Sequence, residues 1–272
     1  MFFTIRQNNK AIINKDDSCI TSIQEIENIE KFFEQLSYLE FGRDYIICKK
    51  YTFSLQKILT SAELTLGSII SCCESGCVSD ANILLRKYRD DLFFYLYLLV
   101  YDKEYKDGND VEKIQSQIIK WIKNNLSNLH ISQVFKKIGN TNKLNEAINE
   151  FNMQKRLSLI GKRLNDYTHS NGYSFYNYNI NSYKESELST ELKNIVDDVK
   201  YLTMSFVFLA TLCSPGFIMS YDYIEYLECN EEPPEGSQYF VAPFIMDFIK
   251  ENIELIGDEC YEYFKMNTCM NV

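Results

Sequence analysis

The stretch "RLNDYTHSNGY", residues 163 to 173, carries His169, one of only two histidines in a chain of 272 residues. Arg163 precedes it by six positions, with Asn165 and Asp166 between. Imidazole titrates near pH 6.5, so it both takes and returns protons under physiological conditions. A guanidinium is always charged, planar and suited to a phosphate. Cleaving an RNA strand without a metal needs both kinds of group. One exchanges a proton with the 2′-hydroxyl or the leaving oxygen; the other is a fixed cation facing the charge that develops on phosphorus. Arg163 and His169 are the candidates, with Asn165 to orient the imidazole or the phosphate. Asp166 is placed to pair with Arg163 or with the histidine.

On a helix of 3.6 residues per turn, Lys155, Lys162, Asn165 and His169 fall along nearly one face. Arg163 lies about 120° away, so a kinked last turn or a second subunit must bring it to the imidazole. The plain reading of His169 is a cap on the carbonyls at a helix C-terminus, where positive charge is favourable. His130, after "NNLSNL", has around it nothing that chemistry requires.

The elements that would position these residues are mostly helical. Residues 2 to 14 suggest two short strands about Asn8-Asn9. Thr21 to Gln24 has the form of a capping box ahead of Ile23, Ile26, Ile29, Phe32 and Phe33, spaced along one helix face. Apolar residues from Leu55 to Ile70 repeat with helical period, and Gly76 ends that run. Ser79 is the expected cap of the next helix, which is apolar nearly all round in its second half. Val111 onward is amphipathic, after a turn at 107 to 110. Lys143 to Thr168 reads as one helix of about seven turns, stopped by Ser170-Asn171-Gly172. A polar loop with Phe175, Tyr176 and Tyr178 separates it from a last long helix at 188 to 213; those aromatics stack on bases or pack the loop. A shorter helix is expected near 241 to 256.

The fold class is therefore all-α: a bundle of four to five long helices over 54 to 214. Residues 1 to 53 supply a short N-terminal hairpin and a helix packed on it, and 215 to 272 an acidic helical extension of the same globule. No Gly-rich phosphate loop and no Gly-x-Ser-x-Gly elbow is present.

Net charge is −10, which ordinarily disfavours nucleic acid, but the charge is segregated. From Lys136 to His169 seven Lys and Arg face three acidic residues; from Asp222 to Glu262 twelve acidic residues face one Lys. The neighbourhood of His169 is basic. Nine scattered cysteines suggest free thiols in a reducing cytoplasm. "CCESGC" lacks the second ligand pair of a zinc site, so no metal or cofactor is implied. The uncharged run 201 to 221 is broken at Pro215-Gly216, after about 14 residues, too few for a membrane span of ~30 Å. It reads as a buried core helix.

The Arg-x5-His string at the end of a late helix resembles the Arg-x4-6-His signature of HEPN domains, found in RNase toxins and in abortive-infection proteins of antiphage defence. "GCVSDANILLRKYRDDLFFYLYLL" is similar to the first conserved helix of the abortive-infection members, and the resemblance covers about residues 54 to 214. It implies a cytoplasmic homodimer with a composite RNA cleft, tRNA being one target. Arg163 and His169 would be catalytic, and Arg86 and Asp90 would match the other helix. Lys155, Arg156, Lys162, Asn165 and Asp166 would bind RNA or support the site. An antitoxin or a phage-derived trigger is the implied regulator. Leu164 stands where the family usually has a polar residue. The other reading is a non-catalytic helical module of the same fold, used for dimerisation or sensing; on that reading Arg86 and Asp90 are only a helix charge pair.

Overall fold

A computed structural model describes residues 2–40, 43, 45–48, 51–106, 111–123, 125, 131–139, 142–172, 175 and 184–272. His130, Tyr176, Tyr178 and the expected turn at 107 to 110 lie outside the described residues. The described residues are mostly helical. The first helix, α1 (Phe2–Ile13), occupies the segment expected to be a hairpin. Asn9, half of the supposed turn, is buried, and with Ile5, Ile12 and Ile13 it follows the i, i+4, i+7, i+8 spacing of an inward helix face. The short hairpin lies later, with β1 (Tyr45–Cys48) antiparallel to β2 (Tyr51–Ser54) and Tyr45 opposite Ser54.

Helix α2 (Asp17–Leu39) starts one turn before the expected capping box. The side chain of Asp16 accepts the Ser18 amide at 2.8 Å, so an Asx cap pre-empts Thr21. Its predicted apolar face is correct: Ile23, Ile26, Ile29, Phe32 and Phe33 are all buried. The next two helices are α3 (Gln56–Glu74) and α4 (Val78–Lys106). Leu92, Phe93 and Tyr95 through Val100 are all buried, as an all-round apolar half requires. After α5 (Val111–Ile122) and α6 (Ile131–Ile138) the expected seven-turn helix is two: α7 (Asn142–Glu150) and α8 (Met153–His169). They part at Asn152, whose φ of 52° is left-handed, a conformation asparagine tolerates. The last long helix is α9 (Glu185–Cys213), with every residue from Tyr201 to Cys213 buried. Three short helices follow, α10 (Asp222–Glu228), α11 (Pro243–Asn252) and α12 (Asp258–Asn267); the first and last were not anticipated. No described helix is long and apolar enough to cross a membrane.

The chain forms two compact units that interleave along the sequence. The first comprises residues 1–34, 60–91 and 154–203. Its interior is pinned by the buried Tyr88 hydroxyl, 2.6 Å from Thr203 Oγ1, and by the edge of Phe33 against the Tyr88 ring. The second comprises 35–59, 92–153 and 204–272. Within it the acidic extension is anchored by Tyr263, whose hydroxyl lies 3.2 Å from both the Lys143 carbonyl and Glu146 Oε2.

Two predictions arise from the first unit. Gly76, between α3 and α4, has φ +66°, and an added Cβ would lie 2.4 Å from Asn9 Cβ. Gly76→Ala meets both the left-handed penalty and that contact. It should lower unfolding free energy by about 2 kcal/mol, read as a lower urea midpoint at unchanged slope. Glu63 is held above the ordinary carboxylate range by burial and then by the charges of Glu34 and Glu30. The folded state therefore binds this proton more tightly than the unfolded state, so stability is full below the unfolded pKa, falls as the pH rises from there to the folded pKa, and stays lowered above it. Glu63→Gln should raise the melting temperature at neutral pH and leave it unchanged in acid, where the wild-type carboxyl is already neutral.

Candidate functional site

All of the sequence-predicted site residues fall in the first unit, on α4 and α8. Helix α8 does not fray at its end. Ser170 takes φ 50°, the Asn171 amide donates to the Asp166 carbonyl at 3.0 Å, and the Ser170 amide reaches the Tyr167 carbonyl at 3.4 Å. These are the two bonds of a Schellman motif, with Ser170 rather than Gly172 as the left-handed residue. His169 thus closes a regular helix and remains exposed.

A regular helix keeps Arg163 on its own flank. Its Nη2 is ion-paired with Asp198 Oδ2 of α9, and its Nη1 is buried with no hydrogen-bond partner. Burial pushes Asp198 above the ordinary range, more than Arg163 and Arg156 pull it down. The cation beside the imidazole is instead Arg86 of α4, with Nη1 3.4 Å from His169 Nε2. A guanidinium only donates, so this contact is a hydrogen bond only when His169 carries its proton on Nδ1 and leaves Nε2 as an acceptor.

Arg86 has a second neighbour: its Nε lies 3.9 Å from Asp90 Oδ2, one turn along α4. Asp90 is in turn engaged by Arg89, whose Nε and Nη2 donate to Oδ1 at 2.9 and 2.6 Å. Arg89 is 3% exposed and lies against α8 at Gly161, where an added Cβ would come within 2.6 Å of Nη1. The glycine in the middle of α8 is what lets this buried guanidinium sit between the two helices. Asp90, bracketed by two arginines, draws Arg86 only weakly and leaves it facing the histidine.

The remaining candidates divide. Asp166 pairs with neither Arg163 nor His169; its Oδ1 lies 3.3 Å from Asn171 Nδ2, at the helix end. Asn165 Oδ1 is buried without a hydrogen-bond partner. Lys155 and Lys162 are exposed on α8. Arg156 is exposed as well and stacks on the Tyr201 ring, Cζ 3.8 Å from its centroid. Phe175 packs edge-on against Tyr167. Among the described residues no group of three or more His, Cys, Asp or Glu is placed to hold a metal ion. Sequence reading missed Arg89, Gly161 and Asp198. An interior helical glycine was the signal available for the first two, since it costs about 1 kcal/mol against alanine and so asks for a packing reason.

The fold and the site define an all-α protein with an exposed arginine–histidine pair at the end of a basic helix. Compared with protein-family models, with curated proteins and with solved structures, the chain has no significant match.

Proposed function

We propose that this protein is a metal-independent endoribonuclease of the HEPN type, acting as a homodimer in the cytoplasm and serving as an abortive-infection or toxin effector. The observation that supports it is the exposed contact between Arg86 and His169, a proton-transfer group with a fixed cation beside it on a basic helix. When an RNA phosphate arrives, Arg86 donates to a non-bridging oxygen, and His169 Nε2 is left as the acceptor for the 2′-hydroxyl proton. The 2′-oxygen attacks phosphorus, the bond from phosphorus to the 5′-oxygen breaks, and that oxygen takes a proton from solvent water while the imidazolium returns its own to solvent, so the products carry a 2′,3′-cyclic phosphate and a 5′-hydroxyl. Lys155, Arg156 and Lys162 hold the backbone by charge. Arg163 acts through Asp198 as a positioning residue, keeping α8 against α9, and leaves the phosphate to Arg86.

The test is incubation of the purified chain with total RNA and with tRNA in EDTA, followed by analysis of the new ends. Cyclic phosphate ends, and no cleavage of a strand carrying 2′-deoxyribose throughout, are expected. The ion pair that occupies Arg163 favours a second reading, a non-catalytic helical module that dimerises or senses a phage component. Folded wild-type protein that leaves every RNA intact would favour that reading.

A further inference from the structure

The link between α3 and α4 is a second Schellman motif, and its two closing positions are cysteines. The Cys77 amide donates to the Cys72 carbonyl at 2.8 Å, the Gly76 amide donates to the Cys73 carbonyl at 2.9 Å, and Gly76 is the left-handed residue. In this motif the side chains flanking the long bond meet across the turn, usually as a small apolar contact. Covalent geometry sharpens the point. With a 2.8 Å amide–carbonyl bond between them, the Cα atoms of Cys72 and Cys77 lie no more than about 6.7 Å apart, inside the range that a disulfide spans.

Exposure selects the same pair. Cys72 and Cys77 are both partly exposed free thiols, whereas Cys73 is wholly buried and, as the next residue on the helix, faces away from Cys72. Burial raises both thiols above their ordinary range; Asp80 adds to this and Arg6 opposes it. The pair therefore rests as neutral thiols, and attack on an oxidant draws on the minor thiolate form.

We propose that Cys72 and Cys77 are a redox modification site, closing to an intramolecular disulfide with an oxidant of the hydrogen peroxide class and reopening with a dithiol reductant. One thiolate attacks a peroxide oxygen, releasing hydroxide and becoming a sulfenic acid. The second sulfur then displaces water from it. Two thiols and one peroxide give one disulfide and two waters, the two electrons passing from sulfur to the peroxide. The bridge ties the C-terminus of α3 to the N-terminus of α4 across six residues already held in a turn.

The test uses the full chain and is independent of any activity. Protein treated with hydrogen peroxide is denatured, alkylated without reduction and digested with trypsin. The peptide following Lys57 and ending at Arg86 contains Cys72, Cys73 and Cys77 and no other cysteine. The expected product is this peptide lighter by two hydrogens, with a single alkyl group, on Cys73. Dithiothreitol before alkylation should restore three alkyl groups. Cys73→Ser should keep the bridge and Cys72→Ser should lose it. Independent alkylation or over-oxidation of Cys72 and Cys77 in the wild type, or a bridge through Cys73, would overturn the assignment, and the wild-type map alone decides this even where a variant fails to fold.

Discussion

His169→Ala is expected to slow RNA cleavage by about 10²- to 10⁴-fold, the usual contribution of a positioned proton-transfer group. The side chain is exposed at the end of α8 and has no part in the core, so the melting temperature should stay within about a degree of wild type. Arg86→Ala should lose a comparable factor, because the guanidinium faces the same reacting phosphate. Arg86→Lys should recover only part of it: an ammonium keeps the charge and loses the planar fork. Arg163→Ala has a different signature. It removes the partner of Asp198 and leaves a half-buried carboxylate, so its effect should appear in stability before it appears in rate.

Arg89→Ala carries the largest expected effect on the fold, about 3 kcal/mol. The arginine is 3% exposed, and its guanidinium fills the space that Gly161 leaves open and holds Asp90 through two hydrogen bonds. Truncation opens a cavity between α4 and α8 and releases the carboxylate. A lower urea midpoint with unchanged slope would measure the first consequence. The second is functional. With Arg89 gone, Asp90 competes for Arg86 at their existing i,i+4 separation and draws it from His169, so cleavage by the folded fraction should also fall. Adding Asp90→Ala to Arg89→Ala should restore part of the rate without restoring stability, an outcome that separates positioning from packing.

Periodicity made the helices legible wherever one face is apolar and the other is not. The inward residues of α2 and α3 and the all-round burial of late α4 follow from spacing alone, and so does the buried run that opens at Tyr201. Local signals failed where a competitor stood nearby. Asn8-Asn9 looks like a turn, yet Asn9 faces inward and its Nδ2 reaches the Gly76 carbonyl at 3.4 Å, a contact 67 residues away in the chain. Thr21 looks like a cap, yet Asp16 caps one turn earlier. The break at Asn152 interrupts an apolar pattern that runs through α7 and α8 without a proline or glycine to announce it.

The candidate site was half legible for a related reason. His169 and its basic helix are visible in a single segment, because exposure and charge are local properties. Its partner is not. Arg86 reaches the imidazole because Gly161 and Arg89 set how closely α4 and α8 pack, a tertiary matter that Arg-x5-His spacing does not encode. Even so, the 120° between Arg163 and His169 on a straight helix pointed the right way: with α8 regular to its end, Arg163 turns to Asp198.

The most direct measurement is the rate of tRNA cleavage in EDTA by wild type, His169→Ala, Arg86→Ala and Arg163→Ala, each first shown to be folded by its melting curve. Wild type should cut and leave cyclic phosphate ends, His169→Ala and Arg86→Ala should fall by at least about 10²-fold, and Arg163→Ala should keep most of its rate per folded molecule. Intact RNA with folded wild type, or undiminished cleavage by His169→Ala, would contradict the assignment.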